Sequence, residues 1–140
     1  MFEYEGNCQC GAVNLSFHCS KPLPQYQARA CDCDYCLNKN IEYLSDPKGK
    51  ITITSTVTLE QQKQGSEQAR FLVCSNCHST LAACYFDHQH VLGSVNATLL
   101  TNYASLQKSA VVSPKLLNKD EKVNRWRALW SELSIALLED

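Results

Sequence analysis

The sequence predicts a mainly β domain that ends in a C-terminal α-helix. Three observations carry that expectation: two segments alternate apolar and polar residues, tight cysteine clusters abut strand-like segments, and a helical stripe is confined to the tail. At 140 residues the chain has the length of one domain, expected to span 1–140 with a core over about 5–100.

The elements follow in order. "AVNLSF" (12–17) places Val13, Leu15 and Phe17 on one face, the period of a half-buried strand. Two prolines in "SKPLPQ" (20–25) interrupt regular structure, and "SDPKG" (45–49) is a turn with Pro47 second and Gly49 fourth. "KITITSTVTLE" (50–60) then gives one strand with Ile51, Ile53, Val57 and Leu59 on a shared face. "ARFLVCSNCHSTLAACYF" (69–86) predicts strand, cysteine turn, strand, and "DHQH" turns the chain into a further strand at "VLGSVNAT" (91–98). From Lys119, Val123, Trp126, Trp130, Leu133 and Leu137 recur at three and four residues, which predicts an amphipathic helix over about 119–138. Asn118 and Glu121 can form its capping box. The Trp126/Trp130 stripe is expected to pack on the chain's own sheet, with a partner surface as the alternative.

Composition narrows the function classes. A formal net charge of −1 offers no field for nucleic acid or acidic lipid. The opening "MFEYEGNCQCGAV" has no positive apolar leader, and no stretch approaches the ~18 apolar residues of a membrane span, so the expected location is the cytoplasm. In that reducing compartment nine cysteines point to metal or catalysis before disulfides.

Seven of the cysteines form three clusters: Cys8 and Cys10; Cys31, Cys33 and Cys36; Cys74 and Cys77. Short spacing lets neighbouring sulfurs face one ion while turn N–H groups donate to the thiolates, the arrangement of a zinc site. Seven ligands divide as four plus three. Cys8, Cys10, Cys74 and Cys77 can close one structural zinc, leaving Cys31, Cys33 and Cys36 to hold a second, more readily lost zinc with an open position. Three thiolates donate much electron density, so such an ion suits binding and deprotonating a thiol better than activating water. Alternatively Cys19, Asp32, Asp34 or a histidine supplies a fourth ligand and the second site is structural too.

The motifs "CQCGAV" (8–13), "CDCDYC" (31–36) and "RFLVCSNC" (70–77) resemble the glutathione-dependent formaldehyde-activating enzyme and centromere protein V family over about residues 5–100. The resemblance implies a β-tent fold of small, folded antiparallel sheets, shared with methionine-R-sulfoxide reductases. It implies a structural zinc on Cys8, Cys10, Cys74 and Cys77 and a catalytic zinc on Cys31, Cys33 and Cys36. The implied activity is a carbon–sulfur lyase type, reversible addition of a small thiol such as glutathione to a small aldehyde such as formaldehyde. The sequence departs from the pattern at Asp32, where active members often carry His, and at "LNKNIEY" after Cys36. His78 replaces the usual Gly after the second knuckle, at a position expected to need positive φ.

The remaining residues carry smaller expectations. Arg70 is a candidate for holding a substrate carboxylate or for pairing with an acid, and His88 and His90 are expected to be solvated. Cys19 and Cys84 are expected to be buried apolar residues, and the sequon at Asn96 to be idle. The competing functions are the lyase-like enzyme, a non-catalytic zinc-stabilised binding module, and peptide sulfoxide reduction, which would need Cys19 or Cys84 as its nucleophile.

Overall fold

A computed structural model describes residues 1–32, 36, 39–63, 68–88 and 90–138, apart from the side chain of Lys115. Among them, eleven strands form one connected sheet. They are β1 (Phe2–Asn7), β2 (Val13–Cys19), β3 (Gln27–Cys31), β4 (Glu42–Leu44), β5 (Lys50–Ser55), β6 (Leu59–Lys63), β7 (Arg70–Cys74), β8 (Thr80–Asp87), β9 (His90–Asn96), β10 (Gln107–Val112) and β11 (Ser131–Leu137). The α-helix α1 (Lys119–Leu129) precedes β11. The fold is mainly β with a C-terminal helix, as the sequence predicts.

The strands run in the order β1-β2-β5-β11-β9-β4-β3-β10, and β6-β7-β8 joins through β9. One edge of β9 pairs along its length with β8. Its other edge is divided, with Leu92 and Gly93 against β11 and Val95 and Asn96 against β4. The sheet therefore forks at β9. Gly93 sits at the fork because a side chain there would collide with Leu133 Cδ1, 2.4 Å from the Cβ position. The parallel pairings, β3 with β10 and β5 with β11, both use strands that follow residue 100, whereas the strands before it pair antiparallel.

Two-residue periodicity assigns side chains to the two faces. On β4, β7 and β8 the residues Leu44, Leu72, Ala82 and Cys84 join a first core with Val13, Leu15, Phe17, Ile51, Ile53 and Val95. Their neighbours Tyr43, Phe71 and Ala83 join a second core with Cys36, Ile41, Val123, Trp126 and Trp130. The helix covers this second face. Trp126 and Trp130, which follows its last residue, stack at 5.0 Å, and Tyr85 meets Trp126 at 5.3 Å, so the stripe packs on the chain's own sheet.

The tail corrects the helix expected over 119–138. The capping box forms as predicted, with Glu121 N–H donating to Asn118 Oδ1 (2.8 Å) and Asn118 N–H to Glu121 Oε1 (3.0 Å). The helix nevertheless ends at Leu129. Trp130 is extended (φ −81°, ψ 153°), and the Ser45 hydroxyl donates to the Leu129 carbonyl (2.7 Å). Ser131 then locks the chain into β11: its hydroxyl accepts from Asp46 N–H (2.8 Å) and donates to Asp46 C=O (2.7 Å). A second correction concerns 50–60, which is two strands, not one. Ser55 Oγ accepts from Val57 N–H and donates to Val57 C=O, a local turn that competes with the ladder and ends β5. Among the described residues no helix is long and apolar enough to cross a membrane.

The predicted turn at 45–49 forms, with Gly49 N–H donating to Asp46 C=O (2.8 Å). Burial acts to raise the Asp46 carboxyl pKa, but the Tyr26 hydroxyl, the Ser20 N–H and hydroxyl and the Lys48 N–H outweigh it and hold the group well below the usual carboxylate range. A depressed folded pKa contributes stability above the unfolded value, about 3.9, that is lost as pH falls below it. Asp46→Asn is therefore expected to cost about 1–3 kcal/mol at neutral pH. Denaturant unfolding of both proteins from pH 7 to pH 3 checks it, and the gap should narrow as the medium is acidified.

Candidate metal centre

Two matching turns build the four-cysteine group. Between β1 and β2, Cys8 N–H donates to Val13 C=O (3.0 Å) and Gly11 N–H returns to Cys8 C=O (3.1 Å). Between β7 and β8, Cys74 N–H donates to Ser79 C=O (3.0 Å) and His78 N–H returns to Cys74 C=O (2.9 Å). In each turn the residue after the second cysteine is left-handed, Gly11 at φ +80° and His78 at φ +62°. This conformation turns the chain after the second cysteine back toward the first strand, closing the turn, and it explains the glycine in one of them. His78 tolerates the conformation, as the sequence anticipates. His78→Val, β-branched at positive φ, is expected to lower stability by about 1–2 kcal/mol, whereas His78→Gly should keep both stability and metal content. Metal analysis with thermal unfolding checks the pair.

The two turns face each other. Gln9 N–H donates to the Ser79 hydroxyl (3.4 Å), and the sulfurs of Cys8, Cys10, Cys74 and Cys77 all lie within 4.8 Å of one another. Cys8 Sγ is 3.5 Å from Cys10 Sγ, which is 3.7 Å from Cys74 Sγ. A tetrahedral ion with metal–sulfur bonds near 2.3 Å requires edges of about 3.8 Å. The residues fit a metal ion.

Electrostatics within the group are uneven. Burial pushes the Cys8 thiol up to about 11, against a Val13 N–H aimed at its sulfur at 3.4 Å. Burial also acts to raise Cys77, but the Ser79 hydroxyl and N–H and the Cys10 N–H overcome it and bring the thiol down to about 5. The Asn76 side chain and Ala12 N–H lower Cys10. Donors thus converge on the sulfurs, which is what thiolate ligands require.

The third cluster lies elsewhere. Cys31, at the end of β3, packs half-buried against the second core, and Cys36 is part of that core with Sγ 3.4 Å from the Tyr43 hydroxyl. Cys8 and Cys74 belong to the first core. The two groups of cysteines therefore serve different cores of the sheet. Cys33 and Asp34 lie outside the described residues. Among the candidates for a fourth ligand, Cys19 belongs to the first core and its thiol donates to Lys21 C=O (3.2 Å), while Asp32 Oδ2 accepts from the Ser113 hydroxyl (2.5 Å).

Other candidates resolve individually. Burial pushes the Cys84 thiol up to about 12 and raises Cys19 as well, so neither is a poised thiolate. Arg70 makes no pair with an acid among the described residues. It donates to Gln61 Oε1 (2.7 Å) and lies over the Phe86 ring. His88 and His90 are exposed at the β8–β9 turn. Asn96 is buried and donates to Thr80 C=O (2.8 Å), which leaves its sequon inaccessible. Sequence reasoning missed Arg29, which contacts Ser45 and Ser94 on the second face. The signal was its position two residues before Cys31 on a strand, hence on the same face.

Neither a protein-family model nor a curated protein matches the chain. A crystal structure of a structural-genomics target from Rhodobacter sphaeroides is similar, with a TM-score of 0.50 and 22% identity over 69% of this chain and 87% of that one. The likeness shows a shared fold.

Proposed function

We propose that the protein is a cytoplasmic zinc-dependent enzyme of the carbon–sulfur lyase type, related to the glutathione-dependent formaldehyde-activating family, which adds a small thiol to a small aldehyde. The observation that carries this reading is the separation of the cysteines: Cys8, Cys10, Cys74 and Cys77 form a self-sufficient ligand set on one core, while Cys31 and Cys36 border another, under α1. A structural zinc on the first set would pin the β1–β2 and β7–β8 turns together, and Cys31, Cys33 and Cys36 would hold a second zinc. When bound there, zinc supplies Lewis-acid polarisation and favours the thiolate form of a bound thiol.

The chain's own residues set the conditions for that chemistry. Trp126, Trp130 and Phe71 keep bulk water from the face carrying Cys36, and the Tyr43 hydroxyl holds the Cys36 sulfur in place. The reaction forms one carbon–sulfur bond. The thiol gives up its proton, its sulfur attacks the aldehyde carbon, and the carbonyl oxygen takes a proton to become a hydroxyl, with no change in net oxidation state.

Exchange NMR with formaldehyde and a panel of thiols tests the proposal. Wild-type protein is expected to accelerate hemithioacetal exchange with at least one thiol, and Cys36→Ser to lose about 10²-fold or more of that acceleration. No acceleration with any thiol would favour the non-catalytic zinc module. The raised thiols of Cys19 and Cys84 argue against sulfoxide reduction.

A further inference from the structure

Among the described residues no acidic side chain compensates the charge of Arg29. It stands on β3 opposite Tyr43 and two residues before Cys31, so its side chain shares the face that holds Cys31, Tyr43 and Cys36. Nη2 donates to the hydroxyls of Ser45 (2.6 Å) and Ser94 (3.3 Å), both buried. Both partners are neutral. The Ser45 hydroxyl in turn donates a hydrogen bond to the Leu129 carbonyl, so the negative charge within reach is the partial one at the C-terminal end of α1. Among the described residues no carboxylate pairs with Arg29.

Its charged neighbour has the same sign. That neighbour is the Arg125 guanidinium of α1, whose like charge acts on Arg29. Arg125 precedes Trp126 in α1, and no hydrogen bond or ion pair joins it to a described residue. Arg29 is half-buried, and a cation withdrawn from water is ordinarily paired, because desolvation without an opposite charge is costly. A guanidinium has five N–H donors in a planar fork, and the serines engage one nitrogen only. The rest of that fork matches a planar oxyanion.

We propose that Arg29, supported by Arg125, binds the carboxylate of a small carboxylate-bearing thiol whose sulfur is directed toward Cys31 and Cys36. This rests on the thiol-addition reading and deepens it, since it assigns the substrate an anionic group and names the residue that selects it. Arg70, the candidate that the sequence suggests for this task, precedes Phe71 on β7 and so stands on the opposite face, where it meets Gln61 and Phe86.

The test uses the full-length, zinc-loaded chain at constant ionic strength, with tryptophan fluorescence as the binding signal and 3-mercaptopropionate, 2-mercaptoethanol and propionate as probes. Wild-type protein is expected to bind 3-mercaptopropionate about tenfold or more tighter than 2-mercaptoethanol, the size of a charge-assisted bidentate contact. Propionate should compete with 3-mercaptopropionate. Arg29→Gln should erase the preference while leaving 2-mercaptoethanol binding in place, Arg29→Lys should restore part of it, and Arg125→Gln should weaken it severalfold. Equal affinity of the two thiols for wild type overturns the proposal without any variant having to fold, and so does an undiminished preference in Arg29→Gln. The outcomes also separate the two readings. Arg29-dependent propionate binding, with no gain from the thiol, supports the anion site and refutes thiol addition; thiol binding with no carboxylate preference refutes the anion site alone.

Discussion

Cys74→Ser is expected to abolish metal binding at the proposed four-cysteine site and, with it, most of the folded stability. Cys74 is fully buried at the end of β7, and its sulfur lies 3.7 Å from that of Cys10 across the junction of the two turns. Serine offers a hard, protonated oxygen in place of a soft thiolate, and three thiolates hold such an ion less tightly than four. Structural zinc contributes roughly 10–16 kcal/mol of apparent binding free energy in small domains, against a total stability of about 5–15 kcal/mol. Loss of the ion therefore rivals the whole margin. Cys84→Ser is the control, because Cys84 is equally buried but lies on β8 away from the group. It should cost about 1–3 kcal/mol, the penalty of an unpaired buried hydroxyl, with metal content unchanged. Metal analysis and circular dichroism on purified proteins check both.

The second large effect separates two leucines that a helix would treat alike. Leu133 is 4% exposed and packs in the first core, whereas Leu137 is 60% exposed. Both pair with β5 through the backbone, at Ile51 and Ser55 respectively. Leu133→Ala should cost about 2–5 kcal/mol, the range for a buried leucine that leaves a cavity beside rigid strands. Leu137→Ala should stay within about 0.5 kcal/mol of wild type. Urea unfolding of the two variants measures the contrast. Similar losses at both positions would mean that the tail docks as a helix.

The same segment shows where the sequence is legible and where it is not. β2 and β5 can be read directly because Val13, Leu15 and Phe17, and Ile51 and Ile53, alternate with polar residues along strands that bury one side. The cysteine turns can be read because their geometry is local: six residues in each hold the hydrogen bonds that close the turn. β11 is hidden. Trp126, Trp130, Leu133 and Leu137 satisfy helical spacing, and the intervening Glu, Leu and Ala are good helix formers. What decides the matter is β5, some eighty positions earlier, together with the Ser131 bridge to Asp46, and neither is visible in a local window. The break after Ser55 escapes for a smaller reason, since one serine hydroxyl folds back on Val57 inside a run of β-formers. The pairing of Cys8 and Cys10 with Cys74 and Cys77 follows from ligand count. The isolation of Arg29 depends on which strands and which helix end surround it, so its chemistry emerges only in three dimensions.

The central claim is that one cysteine group is closed and the other is open. A crystal structure of the zinc-loaded full chain, with anomalous data at the zinc edge, tests it most directly. One ion is expected on Cys8, Cys10, Cys74 and Cys77, and a second on Cys31, Cys33 and Cys36 with a non-protein fourth ligand. A second ion saturated by four protein ligands would contradict it.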